Sequence, residues 1–224
     1  MAASPSTSKK PSKPSGPPAT LLLLVRHGQT PTTGKILPGR APGLHLADTG
    51  NEQARNAAAR LAELQHVDAV YASPLERTRE TAAPIGKALK LPVKADRGLL
   101  EADFGDWTGK ELKDLMKLPE WSTVQRAPST FRFPGGESFL EMQSRIVGAL
   151  DRLRERHPGG VVVAVSHADP IKAAVAHAMG THLDLFQRIV ISPCSVTAIA
   201  YHAGGPVVLT VNSTGGSLAD LRPS

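Results

Sequence analysis

Four short segments of this 224-residue chain carry side chains whose types and spacing suit chemistry on an anion. Arg26-His27-Gly28 ends an unbroken apolar run, Arg77 stands shortly after Ser73, and Glu101, Asp103 and Asp106 share one glycine-punctuated stretch. Ser166-His167 closes a second apolar run. A phosphate monoester carries up to two negative charges, and its transfer passes through a loose transition state with charge spread over three oxygens. The planar forks of Arg26 and Arg77 match such oxygens bidentately, and a protonated His167 would add a third positive group. A neutral His27 among them can attack phosphorus in line and form a phosphohistidine, splitting a difficult hydrolysis into two easier steps. The leaving alkoxide then needs a proton, and the carboxyl that gives it can later activate the water. Glu101, Asp103 and Asp106 are the acids in place for that role.

An isolated arginine is more often a salt-bridged surface residue, so the elements that position these groups decide their meaning. Leu21-Leu22-Leu23-Leu24-Val25 and Val161-Val162-Val163-Ala164-Val165 are continuous apolar runs, as expected of strands buried on both faces of a parallel sheet. Thr49 and Glu52 form a capping-box pattern before an Ala/Leu-rich helix running to Leu64. A short strand over 68–72 leads to Ser73-Pro74, which reads as an N-cap with proline at the first position of a helix ending near Leu89. A short strand at 93–94 and an irregular loop over 99–109 follow. Helices are expected over 137–156, 169–179 and around 183–190, and strands over 195–201 and 207–212 form a closing hairpin across Ala203-Gly204-Gly205. The alternation predicts an α/β fold, a three-layer α/β/α sandwich around a largely parallel sheet. Such sheets bind ligands at the carboxyl ends of their strands, where Arg26-His27, Ser73 with Arg77, and Ser166-His167 would converge.

Taken together, the segments resemble the signature of the histidine phosphatase superfamily, the phosphoglycerate mutase-like enzymes. Leu24-Val25-Arg26-His27-Gly28-Gln29-Thr30 is similar to the first-histidine motif, and the stretch from Ser73 through Arg77 to Thr81 to the second-arginine motif. Glu101 to Gly109 is similar to the acid loop, and Val165-Ser166-His167 to the second-histidine motif. They occur in the family's order, and the likeness covers about residues 20–212, including the Phe133-Pro134-Gly135-Gly136-Glu137-Ser138 turn. The resemblance implies a phosphoglycerate mutase-like fold and a catalytic set of His27, Glu101, Arg26, Arg77 and His167. It selects Glu101 as the acid and implies phosphate contacts from Arg26, Gly28, Gln29, Thr30, Thr33, Arg77, His167 and Ala168. Two positions depart from the pattern: Thr33 stands where asparagine is common, and Ala168 follows His167 where glycine is frequent. The expected activity is hydrolysis of a small phosphorylated metabolite, with a cofactor-dependent phosphoglycerate mutase and a non-catalytic phospho-ligand module as rivals. Intact His27 and Glu101 speak against the module.

Composition narrows the field further. With 41% hydrophobic and 21% charged residues the chain is an ordinary globular protein, and its longest aliphatic run is far short of the about 20 residues of a membrane span. The net charge of +6 falls by half once Lys9, Lys10 and Lys13 are set aside, leaving no basic stripe. Only 4% of residues are aromatic, so nucleic acid is not an expected partner. The lone Cys194 excludes an intrachain disulfide and fits a reducing, cytoplasmic setting, and it reads as a small buried hydrophobe. No metal-ligand spacing is present and no cofactor is expected; Gly105-Asp106-Trp107-Thr108-Gly109-Lys110 is one residue short of a P-loop. Residues 1–19, with five Pro and five Ser, read as a disordered tail, 20–216 as the catalytic domain, and 217–224 as a flexible end.

Overall fold

The structure, a computed structural model, describes residues 18–218 and residue 221. Its strands are β1 (Thr20–Arg26), β2 (Ala69–Ala72), β3 (Val93–Ala95), β4 (Val161–Ser166), β5 (Val196–His202) and β6 (Gly205–Ser213). Its α-helices are α1 (Asp48–Leu61), α2 (Glu76–Leu89), α3 (Leu112–Leu115), α4 (Pro119–Arg126), α5 (Phe139–Arg156) and α6 (Ala168–Ala178). The sheet order is β3-β2-β4-β1-β5-β6. The first four strands pair in parallel, and β5 and β6 each join antiparallel.

The two apolar runs pair with each other, Leu21 opposite Val161 through Arg26 opposite Ser166, so the chemistry that ends each run arrives at the same edge. Alternation along the strands divides the core. Leu21, Leu23, Val25, Val163 and Val165 meet Leu61 of α1 and Ile85 of α2 on one face. Leu22, Leu24, Val162 and Ala164 meet Met142 and Ile146 of α5 and Ile171 of α6 on the other. The expected three-layer sandwich is therefore present.

Several local expectations change. Helix α1 begins at Asp48 after Ala47, with no side-chain cap, so Thr49 and Glu52 form no capping box. A tertiary contact sets its start instead: Ala47 N–H donates to Gln29 O at 2.9 Å, and a Cβ on Gly50 would stand 2.1 Å from that oxygen. Helix α2 begins at Glu76 after Leu75, so Ser73 is not its cap. Ser73 instead extends the ladder of β2, its N–H donating to Val165 O at 2.9 Å. A capping box does form at Ser138 and Glu141, opening α5. Helices α3 and α4 lie in a stretch that the sequence left unassigned. The segment near 183–190 is a 3-10 turn, Leu183–Arg188. Most of the Pro/Ser/Lys-rich segment lies outside the described residues, but Ala19 is buried, as is Leu218 at the far end. Leu218 joins the α1 and α2 layer of the core, so packing runs past residue 216.

Candidate active site

The carboxyl ends of β1 and β4 hold the two histidines side by side. His27 N–H donates to Ser166 O at 3.0 Å, which continues the strand pairing by one step, and the rings of His27 and His167 lie 5.2 Å apart in a T-shaped arrangement. Nδ1 of His27 lies 2.7 Å from Gly28 O. A carbonyl can only accept, so Nδ1 carries the proton and Nε2 keeps its lone pair. Burial, helped by the Arg77 and Arg26 guanidiniums, pushes His27 down to about 3. The imidazole is thus neutral and correctly polarised for attack at neutral pH.

His167 is fully buried, and its Nε2 lies 2.9 Å from Ser73 Oγ, the hydroxyl freed from the role of helix cap. Burial, then Arg77 and His27, hold His167 well below the usual imidazole range, so the ring is neutral in the free site. When Ser73 Oγ donates to Nε2, the neutral ring carries its proton on Nδ1, 3.9 Å from Glu101 Oε2. In that form Nδ1 can donate one hydrogen bond to a phosphoryl oxygen.

Arg77, in the first turn of α2, is fully buried and donates through Nη2 to Gly39 O at 2.8 Å. Arg26 donates through Nη1 to Ile191 O at 2.6 Å. The remaining buried donors Arg26 Nε, Arg77 Nε, Arg77 Nη1 and His167 Nδ1 have no partner among the described residues. Unpaired buried donors are costly, and four of them gathered around one imidazole match the oxygens of a phosphoryl group.

Of the three acids, Glu101 alone is buried and lines the cleft. Asp103 pairs with Arg40 at 3.3 Å, and Asp106 is exposed. Burial, reinforced by Asp169 and opposed by Arg77, pushes the Glu101 carboxyl up to about 7. A carboxyl poised there can give a proton in one step and take one in the next.

The cleft has a volume of about 390 Å³ and is bordered by Arg26, His27, Thr30, Thr33, Glu101 and Ala168 among others. Thr33 lines it while accepting through Oγ1 from Thr30 N–H at 2.9 Å, so it shapes the turn after His27. Ala168 is the first residue of α6. Gly28 and Gln29 do not border the cleft: their N–H groups donate to Thr81 Oγ1 at 3.0 Å and Gln53 Oε1 at 2.9 Å. A Cβ on Gly28 would stand 2.5 Å from Gly50 O, so the glycine allows the loop to approach α1. Both residues therefore brace the loop from behind.

A group that sequence reasoning missed holds Glu101 in place. Arg145 donates to the carbonyls of Gly98 at 2.9 Å, Leu100 at 2.8 Å and Glu101 at 3.2 Å, and grips Glu137 through Nε and Nη2. Arg40 donates to Glu101 O at 2.8 Å and to Glu137 Oε2 at 2.9 Å. One half-buried carboxylate, that of Glu137, thus ties two arginines to the backbone of the acid. Helix periodicity marks Arg145 only as a charge on α5. Cys194 is buried, and burial pushes its thiol up to about 12, so it is a packing residue.

A sequence model of the histidine phosphatase superfamily (branch 1) matches residues 22–214. Phosphoserine phosphatase 1 of Hydrogenobacter thermophilus is 33% identical over 198 residues, covering 86% of this chain and 92% of its own. Three mycobacterial relatives, 34% identical over 200 residues, are longer, and the chain spans 54% of their length. Among solved structures, a mycobacterial glucosyl-3-phosphoglycerate phosphatase aligns with a TM-score of 0.79 at 25% identity, covering 87% of this chain and 99% of the other. A putative alpha-ribazole-5'-P phosphatase from Escherichia coli aligns with a TM-score of 0.79 at 27% identity, over 89% and 99%. With its two histidines brought together at one sheet edge and the match running through nearly the whole fold, the chain belongs to the histidine phosphatase superfamily and is a phosphoric monoester hydrolase.

Proposed function

We propose that the protein hydrolyses a small organic phosphate through a phosphohistidine on His27. One observation carries this reading: a buried, neutral imidazole with Nδ1 fixed by Gly28 O stands among unpartnered guanidinium and imidazole donors. His27 Nε2 forms a bond to phosphorus as the bond from phosphorus to the alkoxide breaks, and protonated Glu101 gives its proton to that alkoxide. Arg26, Arg77 and His167 hold the equatorial oxygens throughout. Water then attacks the phosphohistidine, the Glu101 carboxylate takes its proton, and inorganic phosphate leaves with His27 restored.

The mutase alternative gains no support at the cleft. The basic residues that follow the acid loop, Lys110, Lys113, Lys117, Arg126 and Arg132, are all exposed, and none borders it. Lys113, Lys117 and Arg132 pair with Glu111, Asp114 and Glu141. The lone thiol suits a reducing, cytoplasmic setting. No helix of the described residues is long and apolar enough to cross a membrane.

Phosphate release from an aryl phosphate and from a panel of metabolite phosphates, with excess chelator present, tests the reading. Sustained turnover and an acid-labile phosphoenzyme are expected, since the charge stabilisation comes from side chains. Loss of activity to chelator with rescue by a divalent ion would defeat the mechanism. Predominant transfer of label between phosphoglycerates would identify a mutase instead.

A further inference from the structure

Beyond the phosphoryl end, the cleft has a mostly apolar wall, with Ile36, Leu37, Leu112, Ile189 and Val190 among its residues. Its only other charged side chains among the described residues are Asp169 and Lys172. They stand on the first turns of α6, directly after His167, and pair with each other: Lys172 Nζ lies 3.2 Å from Asp169 Oδ1 and 3.1 Å from Gln187 Oε1. Both are largely shielded, with side-chain exposures of 20% for Asp169 and 16% for Lys172. Charges in such a place act at a lower effective dielectric than charges in water.

The charges of the cleft can be matched one by one. Arg26 and Arg77, with their unpartnered buried donors, balance a phosphate dianion, and Glu101 is protonated when it serves as the acid. Asp169 and Lys172 balance each other. A bound ester is therefore neutralised by its phosphate alone, and an additional net charge on the organic part has no free counter-charge. A neutral alcohol leaves the pair intact. A zwitterion can replace it, its ammonium on Asp169 and its carboxylate on Lys172. A lone carboxylate gains Lys172 only by leaving Asp169 unpaired beside it.

We propose that the Asp169–Lys172 pair reads the net charge of the leaving group, admitting phosphomonoesters whose organic part is neutral or zwitterionic and disfavouring those that carry a further carboxylate or phosphate. This rests on the function proposed above and adds a substrate class to it.

Three primary alkyl phosphates of nearly equal size separate the cases: O-phosphoserine is zwitterionic in its organic part, glycerol 3-phosphate is neutral there, and 3-phosphoglycerate carries a lone carboxylate. All leave as primary alkoxides, so effects on proton donation by Glu101 cancel in ratios of kcat/KM. The first two are expected to exceed 3-phosphoglycerate by about tenfold or more. Asp169→Asn should close that gap, and Lys172→Met should widen it by about another tenfold. Equal or better use of 3-phosphoglycerate by the unmodified enzyme, or ratios unmoved within about twofold by Asp169→Asn, would overturn the proposal. Calorimetric binding of the three esters to the His27→Ala protein gives the same ranking without turnover. Absent hydrolysis would then count against the proposed function while the charge preference is still decided.

Discussion

Arg26, His27 and His167 stand at the carboxyl ends of two directly paired strands, whereas Glu101 sits in a stretch of turns and is held by Arg40 and Arg145. The first group takes its geometry from the sheet: once Leu21 pairs with Val161, the two histidines have little freedom left. The acid takes its geometry from side chains far apart in sequence, Arg40 on one loop, Glu137 at the turn before α5 and Arg145 within that helix. A site can thus combine a nucleophile fixed by backbone ladders with a proton donor fixed by a charged clamp. The two halves should fail differently when perturbed.

The largest effect is expected at the ladder half. His27→Ala should lower phosphate release by about ten-thousandfold or more for every ester and abolish the acid-labile phosphoenzyme. Retained labelling would place the nucleophile elsewhere. Next comes Glu101→Gln, which should slow alkyl phosphates by roughly a hundredfold and aryl phosphates with acidic leaving groups by only a few-fold. The pH profile sharpens this contrast. Glu101 must be protonated to act as the acid, so alkyl phosphate turnover should decline as pH rises through about 7, and Glu101→Gln should remove that limb. Equal losses on both ester types would make Glu101 a positional group.

A smaller effect is expected from the clamp. Arg145→Lys keeps the charge but loses the fork that reaches Glu137 and the carbonyls together. It should cost alkyl phosphates about tenfold and aryl phosphates less than about threefold, following the pattern of Glu101→Gln in miniature. Uniform losses on both esters, with a large fall in melting temperature, would show that Arg145 serves the fold alone.

The same contrast explains what could be read in advance. Two continuous apolar runs, each ending in a histidine, announce buried parallel strands and a shared edge, because that pattern has few other structural meanings. The sandwich and the meeting of Arg26, His27, Arg77 and His167 were legible for that reason. Arg145 was not: on an amphipathic helix it looks like Arg152 or Arg154, and only tertiary structure turns it toward the acid loop. The state of His167 was hidden as well, since it depends on full burial and on three guanidiniums brought near by folding. Ser73 shows how a local rule can mislead. Serine before proline suits a helix cap, but here β2 runs one residue further and its hydroxyl goes to His167.

The route of the chain out of the sheet has a consequence for where its described ends lie. Thr20 begins β1 at the edge opposite the cleft, and Leu218 N–H donates at 3.3 Å to Glu63, just beyond the end of α1 and five residues before β2 begins its pairing at Asp68. Thr20 and Leu218 therefore both lie on the side away from His27. The substrate entrance and the two described ends of the packed unit thus occupy opposite sides of the sheet.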